Sequence, residues 1–179
     1  MDLRMEEWLA KRAETDRENY YPYFGLQLLG HTFPLVQKMS IKTKQPLFGF
    51  NVPWGKEAVA SEVCCYEVRE DIDRKSLEEC FGLLNKIADE VPDPYSKLHK
   101  YTFISMVLLT KDFNDKELKK QIKKYKYELR YSPKQQMYGW TSCRICVIDF
   151  ESGEMCWNAM GDSLAVRIGK WRDSKNGIC

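Results

Sequence analysis

Two apolar runs separated by a charged helix constrain this chain more than any other feature. The first occupies residues 101–110 (Tyr-Thr-Phe-Ile-Ser-Met-Val-Leu-Leu-Thr) and the second residues 143–150 (Cys-Arg-Ile-Cys-Val-Ile-Asp-Phe). Each is short and nearly continuous in apolar side chains, the pattern of a strand covered on both faces. Between them, residues 115–130 place Leu118, Ile122, Tyr125 and Leu129 on one helical arc and lysines opposite. Strand, helix and strand at this spacing form a crossover unit, so the two runs are expected side by side in the middle of a sheet.

The other segments are read around that unit. Residues 3–20 form a polar helix carrying Trp8, Leu9 and Ala13, and Pro22 ends it within the cluster Tyr20, Tyr21, Tyr23 and Phe24. Three strand-like runs follow, at 38–43, 47–52 and 58–68. In the first, Met39, Ile41 and Thr43 alternate with Lys38, Ser40 and Lys42. Short turns between these runs make an antiparallel meander. A second helix starts after Asp71, capped by Asp73 or Ser76, with Ser76 and Glu79 at capping-box spacing. Its stripe is Leu77, Cys80, Phe81, Leu84, Ile87, Ala88 and Val91, and Pro92 and Pro94 stop it. After the second apolar run, a turn at 151–153 leads into a strand at 154–158, and residues 166–171 add one short element.

The expected fold is therefore α+β in a single domain. Its mixed sheet joins the antiparallel three-strand meander, the strand-helix-strand unit and a C-terminal hairpin, in the order α-β-β-β-α-β-α-β-β, with helices mainly on one face. Residues 1–24 make an N-terminal helical arm, 25–171 the α+β domain and 172–179 a polar tail. A chain of 179 residues supports one such core rather than two.

Charge and cysteine content narrow the function classes. Lysine and arginine number 28 against 26 acidic residues, so no global field marks a dedicated nucleic-acid binder, and any such role falls to a local patch. No stretch approaches the roughly 18 apolar residues that span a bilayer, and the first eight residues lack the apolar core of a secretory leader. These features predict a cytoplasmic protein without membrane contact. Its seven cysteines are then expected to be reduced, small packing groups.

Four constellations are candidates for chemistry. Lys116, Lys119, Lys120, Lys123 and Lys126 share a helix face able to neutralise phosphates, although a solvated surface explains such a run equally and lysine lacks the bidentate fork of arginine. Cys143 and Cys146 have C-x-x-C spacing, but residues three apart on a strand point to opposite faces, so neither a metal nor a cofactor is expected. The element order is that of restriction-endonuclease-like folds, yet the acidic residues Glu62, Glu67, Asp149 and Glu151 lack the Glu-x-Lys partner that such metal-dependent cleavage uses. His31 and His99 have no nucleophile motif beside them. Finally, Trp140, Arg144, Asp149 and Asn158, with Lys126, are placed to converge near strand ends. The alternative is structural: Arg144 pairs with Asp149, Trp140 covers the core, and Asn158 serves the turn before Gly161.

Several of these residues also carry a likeness. His99-Lys-Tyr-Thr102, Lys123-Lys-Tyr-Lys-Tyr127, Tyr138-Gly-Trp140, the run 143–150, and Asn158 with Gly161 together resemble an uncharacterised domain family of Gram-positive anaerobic bacteria, a domain of unknown function. The resemblance covers most of residues 95–161. It implies a small cytoplasmic α+β domain and carries no established activity or catalytic residue. The functional expectation is a non-catalytic binding or accessory module with a protein partner or self-association. The alternatives are a nucleic-acid-associated protein using the basic helix 115–130, and a degenerate nuclease-like fold.

Overall fold

The computed structural model describes residues 3–44 and 57–175. Three strands form the centre of a seven-stranded sheet: β3 (Glu57–Val68), β4 (His99–Thr110) and β6 (Trp140–Asp149) run parallel, in that order. The two apolar runs thus lie side by side, with Tyr101 opposite Trp140 and Thr110 opposite Asp149. Both faces of β6 are buried from Thr141 onwards, which is why its sequence reads as continuous rather than alternating.

The antiparallel part is built from β1 (Tyr21–Leu28), β2 (His31–Lys44) and β3. β1 and β2 are joined by a two-residue turn in which Leu29 and Gly30 both have positive φ, 52° and 83°, the hairpin geometry that follows strand twist. The aromatic cluster at 21–24 therefore lies in an edge strand rather than in the helical arm. The run expected at 38–43 is the end of the 14-residue β2, and the strand expected at 47–52 lies outside the described residues. At the other edge, β5 (Glu128–Arg130) and β7 (Met155–Trp157) each pair antiparallel with β6.

Helices cover both faces, not mainly one. On the first, α2 (Arg74–Glu90) and α3 (Lys116–Lys124) press Leu77, Leu84, Ile87, Leu118 and Ile122 onto Ile104, Met106 and Ile145. On the second, α1 (Leu3–Thr15) and α4 (Asp162–Lys175) press Met5, Trp8, Leu164 and Ile168 onto Tyr66, Val107 and Cys146. A parallel trio buried on both sides leaves no other arrangement for its apolar side chains. The element expected at 166–171 is part of α4, whose last residues, 172–175, begin the segment read as a tail.

One helix start has the expected Asp73 cap with a different box partner, and one helix end departs from expectation, each for a local reason. In α2 the cap is Asp73, whose carboxylate accepts the Ser76 N–H at 2.7 Å while the Ser76 hydroxyl accepts the Asp73 N–H at 2.9 Å; Ser76 closes the box in place of Glu79. The basic helix, capped by Asp115, stops at Lys124 instead of running to Arg130. Tyr125 stacks on Phe81 with ring centroids 4.3 Å apart and donates to Asn85 at 2.8 Å, and Tyr127 donates to Asp89 at 2.7 Å. These bonds to α2 pull the chain straight and feed residues 128–130 into the sheet.

The Tyr138-Gly-Trp140 motif fastens the crossover. Its Tyr138 carbonyl accepts from His99 Nδ1 at 2.5 Å, and Gly139 has φ +77° with its Cα against the Lys100 carbonyl. Here β4 bulges: Val59 pairs with His99 but Ala60 with Tyr101. A Cβ on Gly139 would collide with that carbonyl and occupy a left-handed backbone. Gly139→Ala is expected to cost at least ~2 kcal/mol, measured by urea unfolding; a loss below ~0.5 kcal/mol would show that residues 99–100 simply move aside.

Candidate functional site

The four polar residues singled out around the second apolar run do not converge. Asp149, at the end of β6, accepts backbone N–H groups from Glu151 and Ser152, each at 3.0 Å, and from Phe113 at 3.4 Å. Burial acts to raise its pKa, but the donors at Ser152, Phe113 and Glu151 outweigh it and hold the carboxyl below its ordinary value. Asn158 is fully buried: its Oδ1 accepts the Ile145 N–H at 3.0 Å, and its Nδ2 donates to the carbonyls of Tyr125 at 3.1 Å and Cys143 at 3.2 Å. It ties β6 to the turn before Gly161, whose N–H bonds the Asn158 carbonyl at 2.7 Å. Trp140 stacks on Tyr101 at 5.0 Å. Arg144 does not pair with Asp149; it turns onto the opposite face and binds Glu62.

Glu62 is the centre of a buried polar network that sequence reading did not assemble. One oxygen accepts the Tyr20 hydroxyl at 2.6 Å, and the other accepts Ser105 Oγ at 2.8 Å. That second oxygen also lies 2.5 Å from Arg144 Nη2, an ion contact off the hydrogen-bonding direction, and 3.3 Å from Arg167 Nη2. Arg144 is itself held by Ser105 at 3.0 Å and Ser163 at 2.9 Å, over the ring of Phe103 at 3.9 Å. Arg167 extends the network to Asp16 at 3.1 Å, and Asp16 binds the buried Arg12. Burial acts to raise the Glu62 pKa; Arg167 and Arg144, with the Tyr20 and Ser105 hydroxyls, reverse that and lower it. Burial, reinforced by Glu62, drives the Tyr20 hydroxyl upward. The buried charges are paired with one another, with Arg144 Nη2 held by charge alone, so the network is a clamp between β3, β4, β6, α4 and the α1–β1 segment rather than a solvent-facing acid.

The cysteines pack as the strand geometry requires. Cys143 faces α2 and Cys146 faces α1 and α4, on opposite sides of β6. The six described cysteines are free and buried, and burial pushes the thiols of Cys80 and Cys143 up to about 11 and about 12.

The lysines of the predicted patch part company. Lys116, Lys120 and Lys123 are exposed on α3, and Lys126 is exposed beyond its end. Lys119 is half-buried, bonded to Glu154 at 2.9 Å and set over the Phe113 ring.

An open cleft of about 570 Å³ lies on the α2 face, where the helical cover ends and leaves the start of β1 and the part of β2 from Lys38 to Ser40 open, while Phe33 and Val36 of β2 stay buried under it. Tyr21, Tyr23 and Lys38 form one wall, Ser61 the floor, and Pro92 and His99 the other wall. Tyr21 is 76% exposed and Tyr23 44%, with the Lys38 ammonium 5.3 Å from the Tyr23 ring centre. Among the described residues no carboxylate pairs with Lys38. His99 is spent internally: Nδ1 donates to the Tyr138 carbonyl, and Nε2 is hydrogen-bonded with the Thr102 hydroxyl 2.9 Å away. Position and exposure, not a motif, mark this cleft. Lys38 and Ser40, two polar positions of the alternating run 38–43, are its visible trace.

Fold and site together define an α+β domain with an open mixed sheet, a sealed ionic clamp on one face and a lateral cleft on the other. A family model, domain of unknown function (DUF8052), matches residues 14–167, and the chain belongs to that family. No curated protein and no solved structure matches it. No helix among the described residues is long and apolar enough to cross a membrane.

The clamp has a measurable pH signature. Because the folded-state pKa of Glu62 is lowered, its contribution to stability is complete above the ordinary value of 4.5 and is lost as pH falls through the native value. Glu62→Gln is expected to lose about 3–5 kcal/mol at neutral pH, since two buried guanidiniums lose their counter-charge. It should also flatten part of the acid decline in urea-unfolding stability below the ordinary value of 4.5. An unchanged acid profile would assign that decline to other carboxylates, Asp149 first.

Proposed function

We propose that this domain is a non-catalytic binding module of the bacterial cytoplasm that receives a segment of a partner protein in the cleft between β1 and α2. The observation that carries the reading is the contrast between the two faces. The buried charges of the clamp and His99 are consumed by internal partners, whereas the cleft presents aromatic rings, hydroxyls and the Lys38 ammonium to solvent, with the exposed Asp93 carboxylate on the wall by Pro92. Its volume of about 570 Å³ falls within the few hundred to a thousand Å³ of ordinary ligand sites, and it is open beside an edge strand, where extended peptides bind. Tyr21 and Tyr23 offer large contact area at little entropic cost. Lys38 favours an acidic residue near an apolar one. The buried free cysteines suit a reducing compartment.

Panning a library of random dodecapeptides against the purified domain tests this. Enriched sequences are expected to combine carboxylates with aromatic or aliphatic residues. Tyr23→Ala and Lys38→Glu, both at exposed or half-exposed positions, should each weaken them about tenfold or more in titration calorimetry without altering the melting temperature. Peptides that bind both variants as tightly as the parent would place the interaction elsewhere.

A further inference from the structure

A second groove lies at the opposite edge of the sheet, between α3 and β7. It has a volume of about 390 Å³, and its lining includes Lys123, Met155, Cys156, Trp157 and Asp162. Trp157 is the last residue of the short strand β7 and is 36% exposed. Its indole is not free to swing, because Nε1 donates to the Asp162 carboxylate at 2.6 Å. One stiff aromatic ring therefore stands in a groove beside the basic helix, brought there from 34 positions further along the chain than Lys123.

The charges around the groove leave the lysines in excess. Of the carboxylates near it, Glu154 is taken by Lys119 at 2.9 Å and Asp162 by the indole. Glu117 lies 3.7 Å from Lys120 in an exposed, loose pair, worth little in water. Among the described residues, Lys116, Lys123 and Lys124 have no carboxylate partner. Lys116, Lys120 and Lys123 fall at i, i+4 and i+7, one stripe about two turns and roughly 10 Å long. A row of ammonium groups beside a fixed aromatic face is the combination that holds an unpaired strand: phosphates meet the lysines and a base stacks on the ring. A duplex offers the lysines its phosphates but keeps its bases stacked inside.

We propose that the groove between α3 and β7 binds single-stranded nucleic acid, with a base on Trp157 and the flanking phosphates on Lys123, Lys120 and Lys116. Because this site is separate from the β1–α2 cleft, the peptide reading stands or falls independently.

The test is fluorescence anisotropy with a labelled single-stranded oligothymidylate, an abasic strand of the same length and a duplex, across a salt series. Saturable binding to the oligothymidylate is expected, weakening with salt by a slope of about 0.7 per phosphate engaged. Trp157→Ala should weaken it about tenfold or more, Trp157→Phe should retain most of it, and the abasic strand should bind the parent as poorly as the oligothymidylate binds Trp157→Ala. Lys120→Glu combined with Lys123→Glu should lower the salt slope. Trp157 and these lysines are at the surface, and matching melting curves confirm intact folding. No saturable binding at low salt overturns the proposal. So does binding that ignores Trp157→Ala, or a duplex bound as tightly as the single strand, since either would reduce the site to a patch of positive charge.

Discussion

A carboxylate in the middle of a sheet cannot remain charged there alone. Glu62 is 4% exposed on the central strand β3, and the cost of removing its charge from water is offset only by guanidiniums brought to it. Arg144 arrives from β6 and Arg167 from α4, while Tyr20 and Ser105 supply hydroxyls from the chain before β1 and from β4. Each of these elements must reach its final place before the others are satisfied. The clamp therefore reports correct assembly of the whole second face: α4 cannot leave without stranding Glu62, and the segment joining α1 to β1 is held through Asp16 and Tyr20. Around this polar centre the apolar contacts of Met5, Trp8, Leu164 and Ile168 complete the layer.

The first face follows a different logic. Its helices are seated by apolar stripes and by side-chain bonds at their ends, and they cover β3, β4 and β6. The long β2 and the edge strand β1 extend past that cover, which leaves a cleft at one side of the sheet. At the other side, α3 ends early because Tyr125 and Tyr127 bond to α2, and the short β7 runs beside it with Trp157 at its end. Both open surfaces thus arise where helical cover ends. A sheet of seven strands is wider than two helices of 17 and 9 residues can shield, and the uncovered margins carry the exposed tyrosines, lysines and tryptophan.

The motif residues that carry the family likeness turn out to be fasteners. His99 and Tyr138 join β4 to the loop before β6, Gly139 permits the close approach, and Asn158 with Gly161 locks the turn beneath α3. Such residues are specific because geometry leaves few substitutes: a buried amide making three bonds, or a glycine pressed on a carbonyl at positive φ. The same specificity says nothing about a ligand. The surfaces with open valence, around Tyr23 and Trp157, are less distinctive in sequence because exposed aromatic and lysine residues occur for many reasons.

Periodicity and local chemistry determined the core elements. The apolar runs became β4 and β6, the stripe from Leu77 to Ala88 became the buried face of α2, and the opposite orientations of Cys143 and Cys146 followed from the two-residue repeat of a strand. These properties are local: they depend on which side chains neighbour one another along a helix or strand, so the sequence contains them outright. The early end of α3, the strand made from Tyr21 to Leu28, helices on both faces, and the pairing of Arg144 with Glu62 rather than Asp149 were decided only in three dimensions. Each joins residues tens of positions apart. Glu62 and Arg144 carry no mark of each other in the sequence, because their attraction exists only after two parallel crossovers have placed β3, β4 and β6 in register and removed both charges from water.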